Sequence, residues 1–386
     1  MDNNINKVYI NSTGMFLPGE PIGNAQITEY LGIPGDPKKA RKSQKIMSTI
    51  LNQNGIEYRH YALDKNGEAT YLNSELAANA VGEALSAAGL SLSDIDMLSL
   101  GTSMGDLVLP GFGNMVHNTL KGSQSFGMVN ASGVCSSGMI ALQSAWLAIR
   151  AGLYSSAVAG GAERSSAVLK ASRFSDGEVP SKEYFSTDFL RYMLSDGAGA
   201  AVLQNKPAPG KLSLRVEWIE NRSYSSSYDI CMSCGTKDPK DLKAGGSWLD
   251  MPTVAEAEQE RMMVFRQDTR HLKKHICNAV VVETRRLIES GRFVDTEIDH
   301  YLPHLSSLYF DSRLQKSFLD ADINISRDKW FINLVDRGNT GGGGIFVTLH
   351  DLCQSGRLKV NDTILMLLPE SSTTSIGHAL FKVVEG

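Results

Sequence analysis

Apolar residues in this chain fall into short strand-like runs and helical stripes separated by glycine turns. Val8-Tyr9-Ile10, followed by Gly14-Met15-Phe16-Leu17-Pro18, reads as a strand and a turn. Asn24 to Leu31 reads as a short helix stopped by Gly32 and Pro34. Asn54-Gly55-Ile56-Glu57-Tyr58-Arg59 turns into a strand, and Asn73 to Gly89 is alanine-rich with helical spacing. Ser91 to Asp96 then leads into the apolar strand Met97 to Gly101. A loop from Gly105 to Gly113 precedes a helix carrying His117, and Met128-Val129-Asn130 is the next strand. An apolar helix from Ser136 to Ala151 and a strand from Ser156 to Gly161 follow. Ser195 to Leu203 is a glycine turn opening a buried strand, and Pro207 with Pro209-Gly210 marks a boundary. Ser223 to Pro252 is polar and irregular, a loop of a length that is functional or mobile in compact domains. After it the spacing predicts one long helix from about Val254 to Ser290.

The two ends of the chain repeat one another. Ser93-Asp94-Ile95-Asp96-Met97-Leu98-Ser99-Leu100 matches Asp295-Thr296-Glu297-Ile298-Asp299-His300-Tyr301-Leu302, each after a helix ending in Gly89 or Gly291. Further on, a strand, glycine turn, helix, glycine and strand run from Val129 through Cys135 to Gly152 and Val158. The same series runs from Leu334 through Asn339 to Gly356 and Ile364-Leu365, with Asn339 following Cys135 at the interval that separates Gly356 from Gly152. A repeat this long implies a duplicated α/β fold with mostly parallel strands, divided at residues 1–206 and 207–386. Chemistry then collects where strand carboxyl ends face helix N-termini. Cys135 and Asn339 stand at equivalent helix starts, and His304 follows a strand end.

Composition narrows the function classes. With 386 residues, 42% of them hydrophobic and 21% charged, the chain can bury a large core of the ordinary soluble kind. A net charge of −4 argues against general nucleic-acid binding. No apolar run reaches the roughly 18 residues of a membrane span, and Met1-Asp2-Asn3-Asn4 carries no leader signature. Five cysteines, odd and sparse, fit a reducing cytoplasm better than a disulfide framework. Cys231-x-x-Cys234 lacks the second Cys or His pair of a zinc ribbon. The basic run from Lys38 to Lys45 reads as a solvated helix face.

Asn130-Ala131-Ser132-Gly133-Val134-Cys135-Ser136-Ser137-Gly138-Met139 changes the picture most. A turn of small residues delivers a cysteine to the start of an apolar helix. Small neighbours let other backbone and substrate atoms come close. The positive end of the helix dipole lowers a thiol's pKa and favours thiolate, which is how a nucleophile is built. A buried structural cysteine fits these residues as well.

In this order and spacing the motifs resemble the thiolase superfamily, and within it the β-ketoacyl-ACP synthase III-like condensing enzymes. The resemblance runs from the Val8 strand through Asn54-Gly55-Ile56, the Cys135 turn, Asp196-Gly197-Ala198-Gly199-Ala200 and Leu302-Pro303-His304. It ends with Gly338-Asn339-Thr340-Gly341 and the Leu365 to Phe381 strand pair. It implies a five-layer α-β-α-β-α fold of duplicated halves, and Cys135, His304 and Asn339 as a catalytic triad. It implies acyl-CoA or acyl-carrier-protein thioesters as substrates, with no metal and no further cofactor. The backbone N–H groups of Cys135 and Ser372 would hold the acyl oxyanion. A homodimer would bring Leu109, in the Asp106-to-Phe112 loop, to the floor of its partner's acyl pocket.

The chain departs from that family in two places. Where the family carries a run of glycines, it has Pro369-Glu370-Ser371-Ser372-Thr373-Thr374-Ser375, and Gln53 and Glu57 stand where CoA-accepting members carry arginines. A carrier-protein donor is then favoured, with Arg270, Lys273 and Lys274 as its docking cluster. The Ile50-to-Leu63 segment and the Ser223–Pro252 insertion look like the branch that forms alkylresorcinol or cyclohexanedione rings. An acyltransferase or a non-condensing partner subunit on the same fold is the other reading, although such relatives usually lose a member of the triad.

Overall fold

A computed structural model describes residues 5–33, 37–122, 125–174 and 183–386. Met1–Asn4, on which the leader argument rests, and Pro34, the expected helix stop, lie outside them. Nine strands form one hydrogen-bonded sheet. They are β1 Tyr9–Phe16, β2 Met97–Thr102, β3 Gly127–Ser132, β4 Ser156–Glu163, β5 Gly197–Gln204, β6 Leu212–Ser223, β7 His300–Pro303, β8 Thr363–Pro369 and β9 Ser375–Glu385. Their order, β7-β8-β9-β6-β1-β5-β4-β2-β3, keeps the strands of each half together. Within the sheet the two halves meet at β1 and β6, where Tyr9 pairs with Arg215 and Ile10 with Leu214. Strand β2 pairs in parallel with β3 and β4, and β7 with β8. The remaining pairs are antiparallel, so the sheet is mixed and not mostly parallel as the repeat suggested. The cause is β1, β5, β6 and β9, which run against their neighbours at the join.

Seven helices of eight or more residues matter here. They are α1 Pro37–Asn54, α2 Asn73–Ala88, α3 Phe112–Leu120, α4 Ser136–Arg150, α5 Thr269–Glu289, α6 Asp311–Asp320 and α7 Gly344–Gln354. Helix α4 touches β2, β3 and β4 on one side and β6, β8 and β9 on the other, while α7 packs on β1, β5 and α4. These two are the middle layer between the half-sheets. Helix α2 covers the outer face of β1, β4 and β5, and α5 with α6 covers β9. The five layers expected from the resemblance are present.

Helix α4 can lie in the middle because it is apolar nearly all round. Met139, Ala141, Leu142, Ala145 and Ile149 are fully buried. Each large apolar side chain contributes about 1.5–3 kcal/mol. Its approach to the opposite half depends on Gly138, where an added Cβ would stand 2.1 Å from the carbonyl oxygen of Gly342. That contact sets the start of α4, behind Cys135, against the turn that follows Asn339.

Two elements differ from the sequence reading. The long helix over 254–290 is broken into Val254–Gln259 and α5. Between them Arg266–Gln267 pairs with Met232–Ser233, and the Asp268 side chain caps the Arg270 and His271 amides. A capping aspartate restarts a helix and so overrides continuous periodicity. Leu334–Arg337 is a helical turn where the repeat predicts a strand. Asn333 and Arg337 bond to Asp351 on α7, which holds the turn; the strand's place is marked only by a bridge from Trp330 to Tyr301. No helix among the described residues is long and apolar enough to cross a membrane.

Candidate active site

Strand β3 ends at Ser132, and the turn Gly133-Val134 sets Cys135 at the N-cap of α4 with 4% of its surface exposed. Cys135 lines a cavity of about 220 Å³ together with Glu163, Asn339 and Ser372. Apolar side chains including Val168, Leu190, Met232 and Phe265 complete its wall. Such a lining suits a hydrocarbon chain delivered to the thiol.

Asn339 also lines a smaller cavity, and there its neighbour is His304. Its own side-chain carbonyl accepts from the Gly341 N–H at 3.1 Å, which leaves the amide NH₂ to point elsewhere and donate. His304 follows β7, and its backbone N–H bonds to Leu367 of β8. The ring lies over Gly344 at the head of α7, where a Cβ would come within 2.7 Å of it. Its Nε2 is buried and has no hydrogen-bond partner among the described residues. A buried polar atom without a partner calls for an explanation, a catalytic role among them. Burial pushes His304 down to about 4, so the ring is neutral at physiological pH.

The thiol departs from expectation. Burial pushes Cys135 well above the ordinary cysteine value, the carboxyls of Glu370 and Glu163 push it further, and its backbone N–H acts the other way. The fractional charge at a helix start does not offset that burial, so Cys135 rests as a thiol. Glu163, at the end of β4, is a residue the sequence reading missed. Its carboxyl accepts from Ser103 N–H (2.8 Å), Ser103 Oγ (2.7 Å) and Gly342 N–H (3.3 Å). It thereby ties β4 to the Asn339 turn, and burial pushes it up to about 7 despite those bonds.

Ser372 lines the cavity as expected, but its N–H is not vacant. It donates to Glu370 Oε1 at 2.7 Å, so the backbone donor expected of Ser372 is already paired. Nothing in the sequence shows where the Glu370 side chain turns. The insertion grips the same loop: Cys231 N–H donates to Ser372 O and Cys231 Sγ to Ser371 O, both at 2.7 Å. Cys234 Sγ bonds instead to Met263 O, so the two thiols of the Cys-x-x-Cys pair serve different contacts. No group of three or more His, Cys, Asp and Glu side chains placed to hold a metal occurs among the described residues.

The remaining expected residues are peripheral. Arg270, Lys273 and Lys274 are exposed on the first turns of α5. Lys273 sits over the Tyr309 ring and, with Gln53, bounds a small cavity that shares Phe189, Met193 and Leu272 with the Cys135 cavity. The two cavities therefore lie side by side, with those three side chains between them. Leu107, Val108 and Leu109 are 62%, 85% and 81% exposed, and Leu109 does not line its own chain's cavity.

Comparison with known proteins agrees with this layout. Residues 64–197 match the thiolase N-terminal domain, and residues 289–368 match the C-terminal domain of 3-oxoacyl-[acyl-carrier-protein] synthase III. The two matches together span more than half of the chain and divide the site between them, Cys135 in the first and His304 and Asn339 in the second. The beta-ketoacyl-[acyl-carrier-protein] synthase III of Hyphomonas neptunium is 26% identical over 360 residues, 92% of this chain and 93% of that protein. In fold the chain is similar to the tetronic acid condensing enzyme AbyA1, with TM-score 0.73, 20% identity, and 98% and 100% of the two chains covered. It is also similar to Xanthomonas campestris OleA, with TM-score 0.75, 19% identity, and 97% and 96% covered. The chain belongs to the thiolase superfamily, among its β-ketoacyl-[acyl-carrier-protein] synthase III-like condensing enzymes.

Proposed function

We propose that Cys135 takes an acyl group from a thioester, and that His304 and Asn339 then direct its Claisen condensation with a malonyl or β-ketoacyl thioester. One observation carries this reading: a cavity with apolar walls joins a buried thiol to an asparagine whose amide is free to donate, with a neutral histidine beside it. The thiol attacks the thioester and CoA or carrier thiol departs with the proton, leaving an acyl-enzyme. The second thioester becomes an enolate, by loss of carbon dioxide from malonyl or of an acidic α-proton to solvent from β-ketoacyl, and the Cys135 thiolate expelled at the end takes a proton back from solvent. Hydrogen bonds from His304 Nε2 and Asn339 Nδ2 stabilise its oxygen as charge develops. The carbanion attacks the acyl carbonyl and expels Cys135. Exposure of the protein to a panel of acyl thioesters, with intact mass read before and after addition of the second thioester, tests both steps. Acylation without a carbon–carbon product would instead favour a simple acyltransferase.

The donor reading rests on Lys273 at the small cavity beside the Cys135 cavity, with Arg270 and Lys274 near it, and on the missing arginines at Gln53 and Glu57. Acyl-carrier protein is expected to acylate Cys135 faster than the matching acyl-CoA, with the advantage shrinking at high salt. Equal rates at every ionic strength would remove the carrier preference. The exposed Leu107-Val108-Leu109 loop and the outer strand β3 support a homodimer in which Leu109 meets the partner's acyl cavity. Light scattering at micromolar concentration should give twice the chain mass; a monomer would count against it.

A further inference from the structure

The loop between β8 and β9 turns on Glu370, which is 2% exposed and follows the last residue of β8. Both carboxyl oxygens accept hydrogen bonds: Oε1 from Ser372 N–H at 2.7 Å, and Oε2 from Thr373 N–H at 3.2 Å and Thr373 Oγ at 3.4 Å. The loop does not depend on these bonds alone for its position. From outside, Cys231 N–H donates to Ser372 O, Cys231 Sγ and Gln267 Nε2 to Ser371 O, and Tyr224 N–H to Thr374 O. Glu370 therefore occupies an amide of the Cys135 cavity, in a loop that other contacts already hold.

We propose that Glu370 is a positioning residue that keeps the Ser372 amide paired between turnovers and yields it to the acyl oxyanion as Cys135 is acylated. The proposal rests on the reading of Cys135 as the acylated nucleophile. A buried N–H without a partner is costly, so a donor built for a transient oxyanion needs an occupant between turnovers. A carboxylate holds that donor more firmly than the neutral carbonyl of a bound thioester can. When Cys135 Sγ bonds to the thioester carbon, the carbonyl π pair moves onto oxygen and the competition becomes one between two anions. Ser372 N–H then passes to the new oxyanion, while Glu370 keeps Thr373. Collapse restores the carbonyl, expels the carrier or CoA thiol with the proton that left Cys135, and returns the amide to Glu370. The donor thus acts on the transition state and is withheld from the ground state, which is where an interaction raises rate.

Single-turnover acylation of Glu370→Gln and Glu370→Ala, followed by intact mass, tests this against the wild type. Iodoacetamide alkylation of Cys135, read on its peptide, serves as a control that needs no oxyanion donor. In Glu370→Ala, with the amide released, acylation kcat/KM should rise about tenfold and KM should fall, since the ground-state carbonyl can now use it; in Glu370→Gln, whose neutral side-chain oxygen can still accept from the amide, the rise should be smaller. Alkylation should rise less, because it senses only the lost charge. Slower acylation in variants that melt like the wild type would overturn the proposal, as would a rise matched by alkylation. A wild type that alkylates at Cys135 but accepts no acyl group would overturn the function above and this proposal together. Should the variants fail to fold, a structure of the wild type with a trifluoromethyl ketone added to Cys135, a tetrahedral oxyanion, decides: the Ser372-to-Glu370 bond should be broken and the oxyanion should hold the amide. Persistence of the bond would refute the exchange.

Discussion

Cys135→Ala is expected to form no acyl-enzyme and to lose condensation by roughly 10⁴-fold or more, the scale on which removal of a covalent nucleophile is felt. Of the other four cysteines, Cys234 is the rival that must be tested, because it also lines the cavity. It stands on the insertion and not at a helix start, its Sγ is bonded to Met263 O, and burial pushes its thiol up to about 11. Cys234→Ala should therefore still acylate. The reverse outcome, an inert Cys234→Ala and an active Cys135→Ala, would move the chemistry to the insertion. The raised Cys135 thiol adds a pH signature. A thiol pushed above its ordinary value is ionised only in a small fraction near neutrality, so alkylation of Cys135 should still be climbing at about pH 9. A plateau near neutral pH would mean that the helix dipole outweighs burial after all.

The sequence announced the fold through its repeat and the site through three residues at matching places in it. Cys135 and Asn339 could be paired because both precede a helix rich in small residues, and Gly138 against Gly342 is the physical form of that symmetry. Strand direction was not legible, since buried strands of either direction present the same apolar run. The break before α5 was missed because Val254–Gln259 and α5 share helical composition, and Asp268 acts as a cap through its side-chain geometry alone. Glu163 and Glu370 stayed hidden for a related reason. Each is one acidic residue whose role depends on burial and on amides contributed by its loop or by a distant turn, and neither leaves a periodic mark in the chain. The thiol's ionisation was misjudged because the depth at which Cys135 is buried is not written in its turn, and because two acidic residues far apart in sequence also converge on it.

His304→Ala and Asn339→Ala should separate the two half-reactions. Both variants are expected to accept an acyl group at Cys135, because neither side chain takes part in the bond formed there. Both should then lose condensation by about 10²–10³-fold, as each removes one donor aimed at the enolate oxygen, a loss of roughly 3 kcal/mol. A sharper arm uses Asn339→Asp. The Gly341 N–H bond would survive on a carboxylate oxygen, so the turn should keep its shape, but the donor would become an anion facing a developing anion. Asp should therefore condense more slowly than Ala, the opposite of what a purely structural role for Asn339 would give. For His304 the discriminator is pH. Burial lowers its pKa from 6.5 to about 4, so the neutral, donating ring persists through the physiological range and its titration should not limit condensation until the pH approaches 4. The same depression means that the unfolded chain binds this proton more readily, so stability is complete above about 6.5 and declines as the pH falls toward 4. His304→Ala should soften that acid-side decline, measured as the melting temperature against pH, while abolishing condensation at every pH. Normal condensation by any one of these variants would remove that residue from the enolate site.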